Sequence, residues 1–121
     1  MFALGVGMSS SARLVDLQEI VGTVLTEAGW EWEEVAVVGT TRRLADDQRL
    51  LRLGPRLVGF DRWDLDAVAV PSRPSSVARR LLAPPVAEAA ALLAAGTGSR
   101  ILIPKRVGRH VTIAAAVGDR R

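Results

Sequence analysis

Lys105 is the single lysine of a chain with sixteen basic residues, the other fifteen being arginine. It follows Arg100-Ile101-Leu102-Ile103-Pro104, an apolar run that reads as a buried strand. Open α/β sheets collect their ligands at the carboxyl ends of strands, so an ammonium there is a candidate for holding an anion. Gly5-Val6-Gly7-Met8-Ser9-Ser10-Ser11 stands between a strand and a helix. Its glycines permit close backbone approach, Ser9 and Ser10 offer hydroxyl donors, and a helix N-terminus comes next. Gly39-Thr40-Thr41-Arg42-Arg43 repeats the location after a second apolar run. There Thr40 supplies a hydroxyl, and Arg43 a guanidinium suited to carboxylate or phosphate. Ser75 and Ser76, in a turn-rich loop, and Glu88, early in a helix, complete the candidates.

Each feature has a plainer reading beside the chemical one. An arginine-rich composition can retain one lysine, and Gly5–Ser11 can be an ordinary strand-to-helix turn. Arg42-Arg43 can be a solvated helix start, and Glu88 a capping or dipole partner. The first motif lacks the third glycine of a dinucleotide fingerprint and the Gly-Lys-Ser/Thr of a P-loop. His110 is expected to be partly exposed, and Trp30, Trp32 and Trp63 to pack at loop edges. No catalytic residue is assigned.

The elements that must position these groups are legible from periodicity and punctuation. Phe2–Gly7 reads as a short buried strand running into a glycine turn, with Ser9, Ser10 or Ser11 capping the next helix. Leu14, Leu17, Val21, Val24, Leu25 and Ala28 recur at helical spacing, predicting a helix over 12–28 that Gly29 stops. Val35–Gly39 is a second strand, Leu44–Leu53 a helix, and Leu57–Phe60 a third strand. Asp61–Asp66 forms a helical turn, and Ser75 or Ser76 caps a short helix reaching Leu82. Val86–Ala95, opened by Pro85 and stopped by Gly96, is a helix. Ile101–Ile103 and Val111–Val117 are the last strands, joined by a basic loop over 104–109. Strands alternating with helices predict a layered α/β/α domain over 1–121, with a mixed, mostly parallel sheet of about five strands. The first strand–helix–strand unit should cross over right-handed. Ile101–Ile103 is expected to be central and buried. Gly7, Thr40 and Lys105, at parallel strand ends, should then share one edge of the sheet.

Composition narrows the chemistry. The chain has no cysteine and one histidine, so it builds neither a thiolate metal site nor a histidine-rich one. The sequence calls for no metal and no cofactor. No segment approaches about 18 consecutive apolar residues, and no signal peptide is apparent, so a soluble cytoplasmic protein is expected. A net charge of +3 favours anionic partners. The arginines are scattered rather than clustered, which disfavours nucleic acid. A small phosphate- or nucleic-acid-binding domain stays as an alternative.

The joint order of several pieces resembles the CobE/CbiG C-terminal domain family of cobalamin biosynthesis. They are Gly5-Val6-Gly7, Val37-Val38-Gly39-Thr40, Leu57-Val58-Gly59-Phe60, Pro85-Val86-Ala87-Glu88-Ala89-Ala90-Ala91-Leu92, Ile101-Leu102-Ile103-Pro104-Lys105 and Val111-Thr112-Ile113-Ala114. The family has a basic turn after the first glycines, where this chain has Met8-Ser9-Ser10-Ser11. It also places Lys and Glu after the second strand, where this chain has Arg42, Arg43, Asp46 and Asp47.

The resemblance implies a corrin-ring biosynthesis protein that binds a carboxylate-rich precorrin or cobalt-precorrin intermediate, with other corrin-pathway enzymes as partners. In the family this domain is either a free-standing accessory protein or the C-terminal part of the cobalt-precorrin 5A hydrolase, which opens a lactone and releases acetaldehyde. The chain reads as the free-standing form. The alternative is a hydrolase half-domain needing a separate N-terminal partner, so whether it is an enzyme stays open.

Overall fold

The computed structural model describes residues 1–68 and 86–118. Five strands form one sheet: β1 (Phe2–Met8), β2 (Val35–Thr41), β3 (Arg56–Phe60), β4 (Arg100–Val107) and β5 (Val111–Val117), in the order β3-β2-β1-β5-β4. β1 pairs parallel with β2, and β2 with β3. β5 runs antiparallel to both β1 and β4. Four strands therefore share one direction and β5 opposes them, the mixed, mostly parallel sheet expected.

Among the described residues the α-helices are α1 (Leu14–Ala28), α2 (Gln48–Leu51), α3 (Arg62–Ala67) and α4 (Val86–Ala95). The two faces of the sheet are built from different side chains, because alternate strand residues point opposite ways. One face carries Leu4, Val6, Met8, Val38, Val111 and Ile113, packed with Leu17, Ile20, Val21 and Val24 of α1. The other carries Ala3, Val37, Ala114 and Ala116 against Ala87, Ala91 and Ala95 of α4. Bulky residues fill the first interface. Small residues on both sides of the second let a helix lie very close to the strands.

Glycine carries that closeness furthest. A Cβ on Gly5 would lie 1.9 Å from the Ala87 carbonyl oxygen and 2.4 Å from the Ala91 nitrogen. One on Gly39 would lie 2.5 Å from the Ala90 carbonyl oxygen. β1 thus runs on through Gly5 and Gly7 to Met8, rather than ending at a glycine turn. Gly5 sits inside the strand because the helix above leaves no room for a side chain.

Several other expectations are corrected. The helix expected over Leu44–Leu53 is a 3-10 turn (Arg42–Leu44) followed by the four-residue α2, whose start Asp47 caps by accepting from the Arg49 N–H. No serine caps α1: Asp16 accepts the backbone N–H of Arg13 at 3.0 Å, and Arg13 is the capping residue. Ile101–Ile103 is not central, because β4 is an edge strand, and only Ile103 of the three is buried. The basic loop over 104–109 shrinks to a tight turn, since β4 continues through Pro104, Lys105 and Arg106 to Val107. Proline is tolerated there because an edge strand can spare a ladder donor. The apolar residues 69–70, the loop 71–76 and the short helix to Leu82 lie outside the described residues.

Candidate functional site

β1, β2 and β4 all point their carboxyl ends toward the same edge of the sheet, and a cleft of about 420 Å³ opens there. Gly7 and Met8 enter it from β1 and Ser9 from just beyond, Thr41 from the end of β2, Arg43 from the 3-10 turn that follows, and Lys105 and Val107 from β4. The turn between β4 and β5 adds His110, and the start of α4 adds Val86. Connections from β1 and β3 cross to opposite faces, by α1 and α4, so the edge is also where the winding of the sheet reverses. Ligand crevices of open α/β sheets occur at such points.

Local structure holds each group in place. Pro104 lacks an N–H, and the register between β4 and β5 shifts between Ile103 and Arg106. The Lys105 amide is taken instead by Glu88, whose Oε2 accepts it at 2.8 Å. Glu88 is fully buried, so the first turn of α4 fixes the bulge that carries Lys105. On the other side of β4, Arg106 makes a two-pronged pair with Glu27 of α1, at 2.9 and 2.7 Å. That pair also holds the Glu27 carboxyl below its usual range, through the hydrogen bond from Arg106.

The serine turn is held by a residue that the sequence did not single out. Arg49 donates to the carbonyls of Ser9 and Ala12 while pairing with Asp47 at 2.6 Å. The Ser9 amide donates to the His110 carbonyl at 3.0 Å, tying the end of β1 to the β4–β5 turn. In that turn Gly108 donates to Val111, and His110 adopts φ +63°, a left-handed conformation uncommon outside glycine but tolerated by histidine. Arg43 reaches back to the Met8 carbonyl at 3.4 Å. Thr112 Oγ1 donates to the Gly7 carbonyl at 3.2 Å.

Of the residues proposed from sequence, Gly7, Ser9, Arg43 and Lys105 meet in this cleft. Ser10 is exposed beside it and is not on its wall. Gly5 is buried beneath α4. Thr40 is fully buried, with Oγ1 donating to the Val6 carbonyl at 2.8 Å, and it ties β2 to β1 rather than facing the cleft. Glu88 acts from behind, through Lys105. Ser75 and Ser76 lie outside the described residues. Thr41, Val86, His110 and Thr112 are wall residues that the sequence reading did not assign. For Thr41 and Thr112 a signal existed in strand alternation, since each is a polar residue at the cleft end of an otherwise apolar strand.

The described wall carries two cations, Arg43 and Lys105, with Ser9, Thr41 and Thr112 hydroxyls, and includes no Asp or Glu. Its apolar part comes from Met8, Leu44, Val86 and Val107. Such a surface suits an anion attached to an apolar body. Among the described residues no group of three or more His, Cys, Asp and Glu is arranged to hold a metal. None of the described helices is long and apolar enough to cross a membrane.

A mixed, mostly parallel sheet with a cleft at its carboxyl edge defines a small open-sheet α/β domain, and comparison with known proteins specifies which. Residues 2–116 match the family described as Cobalamin synthesis G C-terminus, and the chain belongs to that family, a component of the cobalamin biosynthesis pathway. The crystal structure of CobE, a protein from the cobalamin biosynthetic pathway, is similar at 24% identity, with a TM-score of 0.77 over 96% of this chain and 92% of that one. Cobalamin biosynthesis protein chiG from Agrobacterium tumefaciens str. C58 is similar at 28% identity, with a TM-score of 0.74 over 99% of this chain and all of that one. A putative cobalamin biosynthesis protein G homolog from Sulfolobus solfataricus shares the fold at 19% identity and a TM-score of 0.75, the match covering 37% of that chain. No curated protein matches the sequence.

Proposed function

We propose that the chain binds a carboxylate-rich, precorrin-type tetrapyrrole at the carboxyl edge of its sheet, as an accessory protein of corrin-ring synthesis rather than a self-sufficient enzyme. The observation that carries this reading is the convergence of Arg43 and Lys105 on a wall that, among the described residues, includes no Asp or Glu. Corrinoid intermediates present acetate and propionate arms around an apolar ring. Guanidinium and ammonium groups hold such arms by charge-assisted hydrogen bonds, and Val86, Leu44 and Met8 offer apolar contact to the ring. Family membership and the likeness to CobE support the same pathway.

Absorbance titration with purified precorrin-type intermediates tests the reading. A saturable spectral change that weakens as salt rises is expected, because the contacts are charged. No change with any intermediate of the pathway refutes it.

A second reading has one observation in its favour. The Sulfolobus protein G homolog is far longer than the matched region, so this fold also occurs as part of a larger chain. On that reading the chain is a hydrolase half-domain that opens a lactone and releases acetaldehyde only with an N-terminal partner. Acetaldehyde appearing when such a partner is added, and not without it, selects this reading over the accessory one.

A further inference from the structure

Beside the cleft at the carboxyl edge lies a second, of about 440 Å³, between the end of β3, α3 and the start of α4. The two are not separate places, because Thr41, Arg43 and Val86 belong to the walls of both. The second is more apolar at its base, where Phe60 and Leu65 stand with Val86. Its cations are already engaged: Arg42 pairs with Asp61 at 2.6 Å, and Arg62 with Asp66 at 3.8 Å. Arg43, on the ridge between the clefts, has no such acidic partner among the described residues. Beside it the Thr41 hydroxyl is buried and has no hydrogen-bond partner among the described residues. A buried hydroxyl without a protein partner is uncommon in a native fold and leaves a hydrogen-bonding group for a water or a ligand oxygen.

We infer that the two clefts are lobes of one groove, and that the lobe formed by Phe60, Leu65 and Val86 takes the apolar face of the ligand's macrocycle while its acidic arms reach across the ridge to Arg43 and Lys105. This rests on the tetrapyrrole reading and deepens it by assigning a second set of residues. One lobe of about 420 Å³ lies near the small end of pockets for drug-sized ligands, about 300–1,000 Å³. Two joined lobes enclose a much larger body. The division of labour arises from the walls. Cations without an acidic partner among the described residues stand in the first lobe and on the ridge, whereas the second offers an aromatic ring and internally neutralised charges. Thr41 sits on the ridge that an arm would cross, and its buried hydroxyl has no hydrogen-bond partner among the described residues.

The test compares two probes on the whole protein by amide chemical-shift mapping and titration. Uroporphyrin carries a macrocycle with eight carboxylates, and citrate carries carboxylates without a ring. Uroporphyrin is expected to move amides of both lobes, 60–65 as well as 7–9 and 105–112, and citrate those of the first lobe alone. Phe60→Leu, which keeps an apolar side chain and removes the ring, should weaken uroporphyrin about 3- to 10-fold and leave citrate unchanged. The Phe60→Leu amide spectrum, compared with that of the unsubstituted protein, shows that the fold persists. Should unfolding appear, Thr41→Val, nearly identical in volume, replaces it and should weaken uroporphyrin several-fold through the lost hydroxyl. Uroporphyrin shifts confined to the first lobe, or uroporphyrin affinity unchanged in the variants, overturn the two-lobed groove and leave the tetrapyrrole reading standing. If neither uroporphyrin nor any pathway intermediate binds, both fall together.

Discussion

Replacing Gly5 by alanine isolates the contact on which the α4 face depends. The added Cβ would stand 1.9 Å from the Ala87 carbonyl oxygen, 2.4 Å from the Ala91 nitrogen and 2.9 Å from the Ala87 carbonyl carbon. All three are helix backbone, so no side chain can swing aside. α4 must retreat by more than about 1 Å to restore van der Waals separation, which is about 3.5–4.0 Å between carbons. Ala87 and Ala91, both fully buried against β1, would then lose their close fit. Overpacking of a core costs about 1–3 kcal/mol, and the upper end applies where only backbone can yield. Alanine also restricts the unfolded chain more than glycine does, which offsets about 0.4–1 kcal/mol. The net expectation is a loss of about 2–2.6 kcal/mol, read by urea denaturation as a midpoint lower by about 1 M. Gly22→Ala serves as the control. No atom lies within 4 Å of its added Cβ, and it is an exposed interior position of α1. That variant should gain about 0.5–1 kcal/mol. A Gly5→Ala loss below about 0.5 kcal/mol, the range of neutral surface changes, would refute the claim that glycine is there to admit the helix.

The remaining expectations concern the site and its supports. Glu88→Ala leaves the Lys105 amide without its acceptor and should cost about 1–3 kcal/mol by denaturant titration, whereas Glu88→Gln keeps a carbonyl acceptor and should recover most of it. Equal losses for both would show that the hydrogen bond is not what matters at Glu88. Lys105→Ala removes only a partly exposed side chain, so stability should change by less than about 0.5 kcal/mol, while affinity for an anionic tetrapyrrole falls; a large stability loss would make Lys105 a structural residue. Acid titration followed by circular dichroism should show stability falling below about pH 4, near the ordinary aspartate value. Asp16 and Asp47 are held below that value by hydrogen bonds from Arg13 and Arg49. Their stabilisation is therefore present above the unfolded value and lost as pH falls through the folded one. Asp47→Asn should flatten that dependence, and an unchanged acid limb would refute the assignment.

The sequence by itself determined the elements whose signals are local. Helical spacing and Gly29 marked α1, Pro85 and Gly96 bracketed α4, and the apolar runs around Val37, Val58, Ile103 and Ile113 marked four of the strands. It also named Arg43 and Lys105, the cations on the cleft wall, because a lone lysine after a strand and a guanidinium after another are legible as residue types. Where α2 shrank to one turn, Asp47 and Arg49 were spent on capping and on the serine turn, a choice made by contacts with Ser9 and Ala12 far along the chain. Only the tertiary structure decided what Gly5 and Gly39 are for. A glycine that admits a ligand and one that admits a helix have the same sequence signature, and the difference lies in whether Ala87 and Ala90 stand above it. The same holds for Glu88, whose partner is the Lys105 amide across the fold, and for Thr40 and Thr41. These adjacent threonines point to opposite sides of β2, so one ties two strands together and the other faces the groove. Strand order is the common cause. Inserting the antiparallel β5 between β1 and β4 brings the carboxyl ends of β1 and β4 to the same edge without pairing them, and it leaves the space between them that the cleft occupies.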